Sequence, residues 1–179
     1  MLKDMFKVEL YKVKLQNIDN TAIVDFINKN NFFGQATNTY LIFEEDIFYK
    51  LNKKVLEHAN ILFHETAHDH CLLKFNSGWY SMGNNKEIIA PHKHVDSHFS
   101  AVYYPLSVDG QIRFQNPTNF LNNTLNGKDI KNVTEYHHEY YIEHVRSGDL
   151  IIFKSGLWHW AMPSQFDRYS VAYNTEMEK

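Results

Sequence analysis

The chain has a single cysteine, Cys71, in 179 residues. That excludes an internal disulfide and fits a reducing compartment, where a buried, inert thiol is the ordinary role. Arginine is nearly as scarce, with three against fifteen lysines. At a net charge of −3 there is no basic surface of the strength that nucleic acid demands. No apolar run approaches the roughly 18 residues of a membrane span, and the first residues lack the apolar core of a signal peptide. These absences predict a cytoplasmic protein with no nucleic-acid and no membrane partner. They leave the oligomeric state open.

What is present is a globular composition, 44% hydrophobic and 15% aromatic. The length fits one domain, residues 1–179, with a sizeable core. Residues 6–15 alternate apolar and charged side chains, a strand pattern. Turn and cap residues at 17–20 precede an amphipathic helix over Thr21–Asn28. After a polar loop at 30–38, Ile47, Leu51, Val55, Ala59, Leu62 and Phe63 recur at helical spacing within Glu44–His68. Beyond Leu72 the pattern changes to eight short runs at 72–82, 86–92, 98–106, 110–115, 136–145, 149–154, 157–162 and 168–175. Strands at that spacing predict a mainly β fold, a jelly-roll or double-stranded β-helix barrel over 72–179. The strand and helices of 1–71 would support it from outside. A polar, Asn-rich stretch at 116–135 is long enough for a functional loop.

Two motifs offer metal ligands. His64-Glu65-Thr66-Ala67-His68 matches the zinc-protease pattern in which two His and a Glu share a helix face. Asp69 follows it directly and no Gly-x-x-His does. It is expected to be a solvated helix end, with His68 and His70 near the C-terminal dipole. The second motif is dispersed. His94 and Asp96, two apart, would share one face of a strand. His159 would join them from another strand. Two His and one carboxylate with open positions opposite form the ligand set of non-heme Fe(II) oxygenases. His92 competes, since His92 and His94 have the same spacing; Asp96 would then be an outer partner. The set with Asp96 is preferred because its charge balances the metal.

Arg168 stands nine residues after His159. Its planar fork suits bidentate pairing with a carboxylate. Ser170 shares its strand face, as Ser100, Val102 and Tyr104 share another. Trp79 is a candidate for the pocket mouth; Trp158, Trp160, His137, His138 and His144 read as rim, core or surface residues.

The ordered set His94, Asp96, Ser100, Tyr104, Gly148, Asp149, Phe153, His159, Pro163 and Arg168 resembles the Fe(II)/2-oxoglutarate-dependent dioxygenases. The likeness is to their prolyl-hydroxylase-like branch and the small oxygenases of bacteria and phages, and it covers roughly residues 75–175. Ala101 and Pro105 depart from the Gly and Leu usual there. The resemblance implies Fe(II) on His94, Asp96 and His159. It implies 2-oxoglutarate anchored by Arg168 with Ser170 and Tyr104, and O2 as co-reactant. The implied reaction couples decarboxylation of 2-oxoglutarate to succinate with C–H oxidation, in a small-molecule or peptide substrate such as a prolyl or other amino-acid side chain. Two alternatives stay open. His92-x-His94 and Gly156-x-x-His159 are similar to the two cupin motifs, although His98 replaces the expected Glu and a cupin has no need of Arg168. The other is a metal-containing jelly-roll binding protein.

Overall fold

A computed structural model describes residues 8–30, 41–66, 71–83, 88–117 and 139–178. Strand β1 (Leu10–Lys14) is followed by helices α1 (Asn20–Asn30), α2 (Leu41–Glu44) and α3 (Asp46–Thr66). Eight strands then follow: β2 (Leu73–Gly83), β3 (Ile89–His92), β4 (Phe99–Leu106), β5 (Gly110–Gln115), β6 (Tyr140–Val145), β7 (Asp149–Lys154), β8 (His159–Ala161) and β9 (Arg168–Met177). They form two antiparallel sheets, a major one in the order β1-β7-β4-β9-β2 and a minor one in the order β3-β8-β5-β6. This is the double-stranded β-helix predicted, with helices outside the major sheet. The expected helix of 44–68 is α3, the short α2 before it was not expected, and most of the stretch 116–135 lies outside the described residues.

Period-two alternation sorts the major sheet into two apolar layers. Leu150 and Ile152 of β7, with Ala101 and Tyr103 of β4, face Ile23, Ile27, Phe48, Leu51, Val55 and Phe63 of the helices. Ile151 and Phe153 point the other way, into the barrel with Tyr104, Ile112 and Phe114. Strand β7 is therefore apolar along nearly its whole length, because both its faces are covered. The tyrosines of the helix-facing layer reach a polar seam. The hydroxyls of Tyr103, Tyr169 and Tyr173 donate to Oδ1 of Asn20, Asn28 and Asn52 at 2.6, 2.6 and 2.9 Å. Large rings thus fill the interface while their polar ends stay satisfied.

Two turns explain local sequence. Asp19 caps α1, its Oδ1 accepting from Ala22 N at 3.0 Å. Gly148, at φ +88°, joins β6 to β7 with its N–H donating to Tyr104 O and its carbonyl accepting from Leu15 N. A side chain is strained at that φ, which explains the glycine.

Candidate metal centre and cosubstrate pocket

A cavity of about 560 Å³, counted to its open mouth, enters the barrel between the two sheets. Its metal-side wall comes from the minor sheet, where His92 of β3 lies opposite His159 of β8 in register. His94 follows β3, held by its own N–H donating to Ser155 O at 2.9 Å. The ligand atoms of His92, His94 and His159 all lie within 4.8 Å of one another. Their ring centroids are 4.3 to 5.4 Å apart.

Asp96 is not in this group. Strand β3 ends at His92 and β4 begins at Phe99, so no strand carries His94 and Asp96 on a common face. Asp96 occupies an exposed bend, where Asn76 Nδ2 donates to its carbonyl at 2.8 Å. The structure therefore assembles His92, His94 and His159, and not His94, Asp96 and His159. Of the second pattern, His64 and Glu65 lie in the last turn of α3, and His68 lies outside the described residues.

The cluster has the chemistry of a metal site. His159 is 5% exposed and packs edge-on against Phe153. Burial pushes its pKa down to about 4, so it is a neutral base at physiological pH. Burial lowers His94 as well. Neutral imidazoles bind metal without first releasing a proton. Nδ1 of His159 meets Leu157 O at 2.8 Å, and Nδ1 of His92 meets Ala90 O at 2.8 Å. A carbonyl can only accept, so each ring carries its proton on Nδ1 and keeps Nε2 free as a ligand.

The opposite wall belongs to the major sheet. Arg168 opens β9, opposite Gly83 of β2. It is 3% exposed and donates from Nη1 to Met162 O at 3.0 Å. The ion pairs among the described residues join Lys12, Lys54, Lys74 and Lys154 to carboxylates and leave Arg168 out. A Cβ at Gly83 would stand 2.9 Å from its Nη2, so that glycine makes room for the guanidinium. A buried cation with no anionic partner is costly unless a ligand supplies one. The three-imidazole cluster and this guanidinium line the same cavity, as a metal and a chelating dicarboxylate require. The residues present thus fit Fe(II) and 2-oxoglutarate.

Ser170 lies beyond Arg168, its Oγ 2.7 Å from Ser81 Oγ. Ser81 was not legible as a site residue, because the pairing of β2 with β9 places it there. Tyr104 lines the cavity from β4, and Trp79 does so from β2, its ring 5.5 Å from that of His94.

Burial raises the Tyr104 pKa to about 12, against the opposing pull of the Arg168 charge. Its hydroxyl remains a neutral donor at any working pH. The shift also sets a stability limit. Unfolded tyrosine ionises near pH 10 and the buried one only near 12, so folding loses free energy as pH climbs between them. For one such residue the loss is about 2–3 kcal/mol. The wild-type protein should melt at a lower temperature at pH 11 than at pH 9, and Tyr104→Phe should show a smaller drop. Equal drops in both would remove Tyr104 as a contributor.

A family profile described as "Putative 2OG-Fe(II) oxygenase" matches residues 77–174, more than half the chain. The chain belongs to that family. It is an Fe(II)- and 2-oxoglutarate-dependent oxygenase, an oxidoreductase that takes O2 as co-reactant. No curated protein sequence matches it. Among solved structures it is similar to HygX from Streptomyces hygroscopicus, with nickel and 2-oxoglutarate bound (TM-score 0.63, 11% identity, 94% of this chain and 82% of that one). It is also similar to the viral collagen prolyl hydroxylase of Paramecium Bursaria Chlorella virus-1 (0.64, 13%, 95% and 90%). A third is a Pseudomonas putida prolyl-4-hydroxylase (0.61, 11%, 95% and 88%). At these identities the likeness is one of fold.

Proposed function

We propose that this oxygenase holds Fe(II) through His92, His94 and His159 and hydroxylates a small-molecule or peptide substrate, a prolyl or other amino-acid side chain being the leading class. The observation that carries the reading is the buried Arg168 guanidinium, without an ion-pair partner among the described residues, in the same cavity as three imidazoles. When bound, the iron and 2-oxoglutarate supply the oxidising chemistry that couples loss of CO2 to C–H oxidation. The chain's own residues bind and orient. Arg168 receives the far carboxylate of 2-oxoglutarate on its fork, with Ser170 and the Tyr104 hydroxyl as further donors to the same group. His92 and His159, tautomers set by Ala90 and Leu157, present Nε2 to the metal. Phe153, Ile112 and Ala161 keep water from the inner wall. Three imidazole ligands bring no negative charge, so the cosubstrate's metal-side carboxylate would balance the cation.

The amino-acid class is supported by the prolyl hydroxylases among the similar structures. We assign the whole of 1–179 to one domain, acting in the cytoplasm and not on nucleic acid; the lone Cys71 and the net charge of −3 support this setting. No helix among the described residues is long and apolar enough to cross a membrane.

The test is a screen for succinate release, in the presence of Fe(II), 2-oxoglutarate and O2, over free amino acids, peptides and nucleosides. Stimulation by an amino acid or a peptide is expected, with a product heavier by one oxygen atom. Stimulation by nucleosides alone would overturn the substrate class. Failure of Fe(II) plus 2-oxoglutarate to give a visible charge-transfer band under argon would remove the site assignment itself.

A further inference from the structure

Three contacts fix the direction of the Arg168 fork. Its Nη1 donates to Met162 O at 3.0 Å. A Cβ at Gly83 would stand 2.9 Å from its Nη2, and one at Gly110 would stand 3.2 Å from its Cδ. Those two glycines belong to β2 and β5, where sheet pairing holds the backbone. Met162 does not. It begins the connection between β8 and β9, residues 162–167, which is part of neither sheet.

Little apolar burial holds that connection. Pro163, Gln165, Phe166 and Asp167 are exposed, and only Ser164 between them is buried. Its tether is Asp109, in the turn between β4 and β5. Oδ2 of Asp109 accepts from Gln165 N at 2.8 Å. Oδ1 lies 2.5 Å from Ser164 Oγ, which is also 2.5 Å from Phe166 O. Both neighbours are acceptors, so the single hydroxyl proton is shared between them. The Ser164 hydroxyl, and after it the Gln165 N–H, hold the Asp109 carboxyl below its ordinary pKa, so it stays an anionic acceptor at working pH. Gly110, against the Arg168 stem, is the next residue in the chain. One turn thus holds both the connection that carries Met162 O and the wall behind the guanidinium.

We propose that Asp109 is a positioning residue for 2-oxoglutarate. By tying Ser164 and Gln165 to the β4–β5 turn, it keeps Met162 O where it accepts from Arg168 and so aims the fork into the cavity. This rests on the reading that Arg168 receives the far carboxylate of the cosubstrate. Asp109 lies outside the cavity lining, so its effect passes through Arg168.

The affinity for 2-oxoglutarate is read by titrating the anaerobic Fe(II) protein, beside its Fe(II) affinity and its thermal melt. Asp109→Ala should bind Fe(II) as wild type does and 2-oxoglutarate about tenfold more weakly, the equivalent of one charge-assisted hydrogen bond of the fork. Ser164→Ala, a milder change at the same tether, should move the affinity the same way by less. In succinate formation the loss should appear in KM for 2-oxoglutarate, with kcat at saturation unchanged. A double-mutant cycle separates positioning from general support of the fold. In the Arg168→Leu background, Asp109→Ala should weaken 2-oxoglutarate binding no further, because the group it acts through is gone. An undiminished loss in that background overturns the proposal. So does wild-type 2-oxoglutarate affinity in Asp109→Ala. If Asp109→Ala does not fold, Ser164→Ala carries both comparisons, with the same two overturning results. Arg168→Leu alone isolates the underlying reading: if it binds 2-oxoglutarate as wild type does, Arg168 is not the anchor and the role of Asp109 falls with it.

Discussion

Replacing Arg168 with leucine should separate cosubstrate binding from every other property of the protein. The guanidinium is the only cation that the described residues place in the cavity wall beyond the imidazoles. A charge-assisted hydrogen bond contributes about 1.5–3 kcal/mol, which is one to two orders of magnitude in affinity at about 1.4 kcal/mol per tenfold. Arg168→Leu should therefore raise the apparent KM for 2-oxoglutarate about 10- to 100-fold while Fe(II) still binds. Arg168→Lys keeps the charge without the fork and should fall between. A structural ion pair would behave differently, but Glu176, the acid best placed in sequence, pairs with Lys74 at 3.2 Å. Removing a buried unpaired charge should leave the melting temperature of the metal-free protein unchanged or higher. Added 2-oxoglutarate should raise it, in the presence of metal, for wild type and not for the variant. A variant that melts lower yet titrates normally with 2-oxoglutarate would return Arg168 to a purely structural role.

The second large effect concerns the ligand set. His92→Ala, His94→Ala and His159→Ala should each lose Fe(II) affinity beyond the roughly 10- to 100-fold that an outer partner contributes. Asp96→Ala should bind iron as wild type does, because its side chain stands in an exposed bend outside the cluster. Anaerobic iron titration of His92→Ala beside Asp96→Ala decides the matter. Iron retained by the first and lost by the second would restore the carboxylate set.

The two tests differ in how far sequence could anticipate them. Arg168 was legible because arginine is rare in this chain and sits nine residues after a metal-type histidine. All eight strands after Leu72 were legible too, because half-buried strands alternate and turn residues punctuate them. Helix α3 announced itself through Leu51, Val55, Ala59 and Leu62. The choice between Asp96 and His92 was not legible. Spacing of two means a common face only where the backbone is extended, and whether β3 runs past His92 depends on what pairs with it. Its partner β8 is three residues long, so the pairing ends there and the chain turns out into a bend.

The sequence by itself thus determined the kind of fold, the family and the residue types of the site, since these follow from local periodicity and from motifs read in order. Tertiary structure alone decided which histidines meet. It also decided that Gly83 clears space for Arg168, that Ser81 lies against Ser170 and that Asn174 faces His94. Each of those contacts joins residues roughly 80 or more apart through strand register. Register is set by which apolar faces the helices and the barrel interior must bury, a property of the whole sheet and not of any segment.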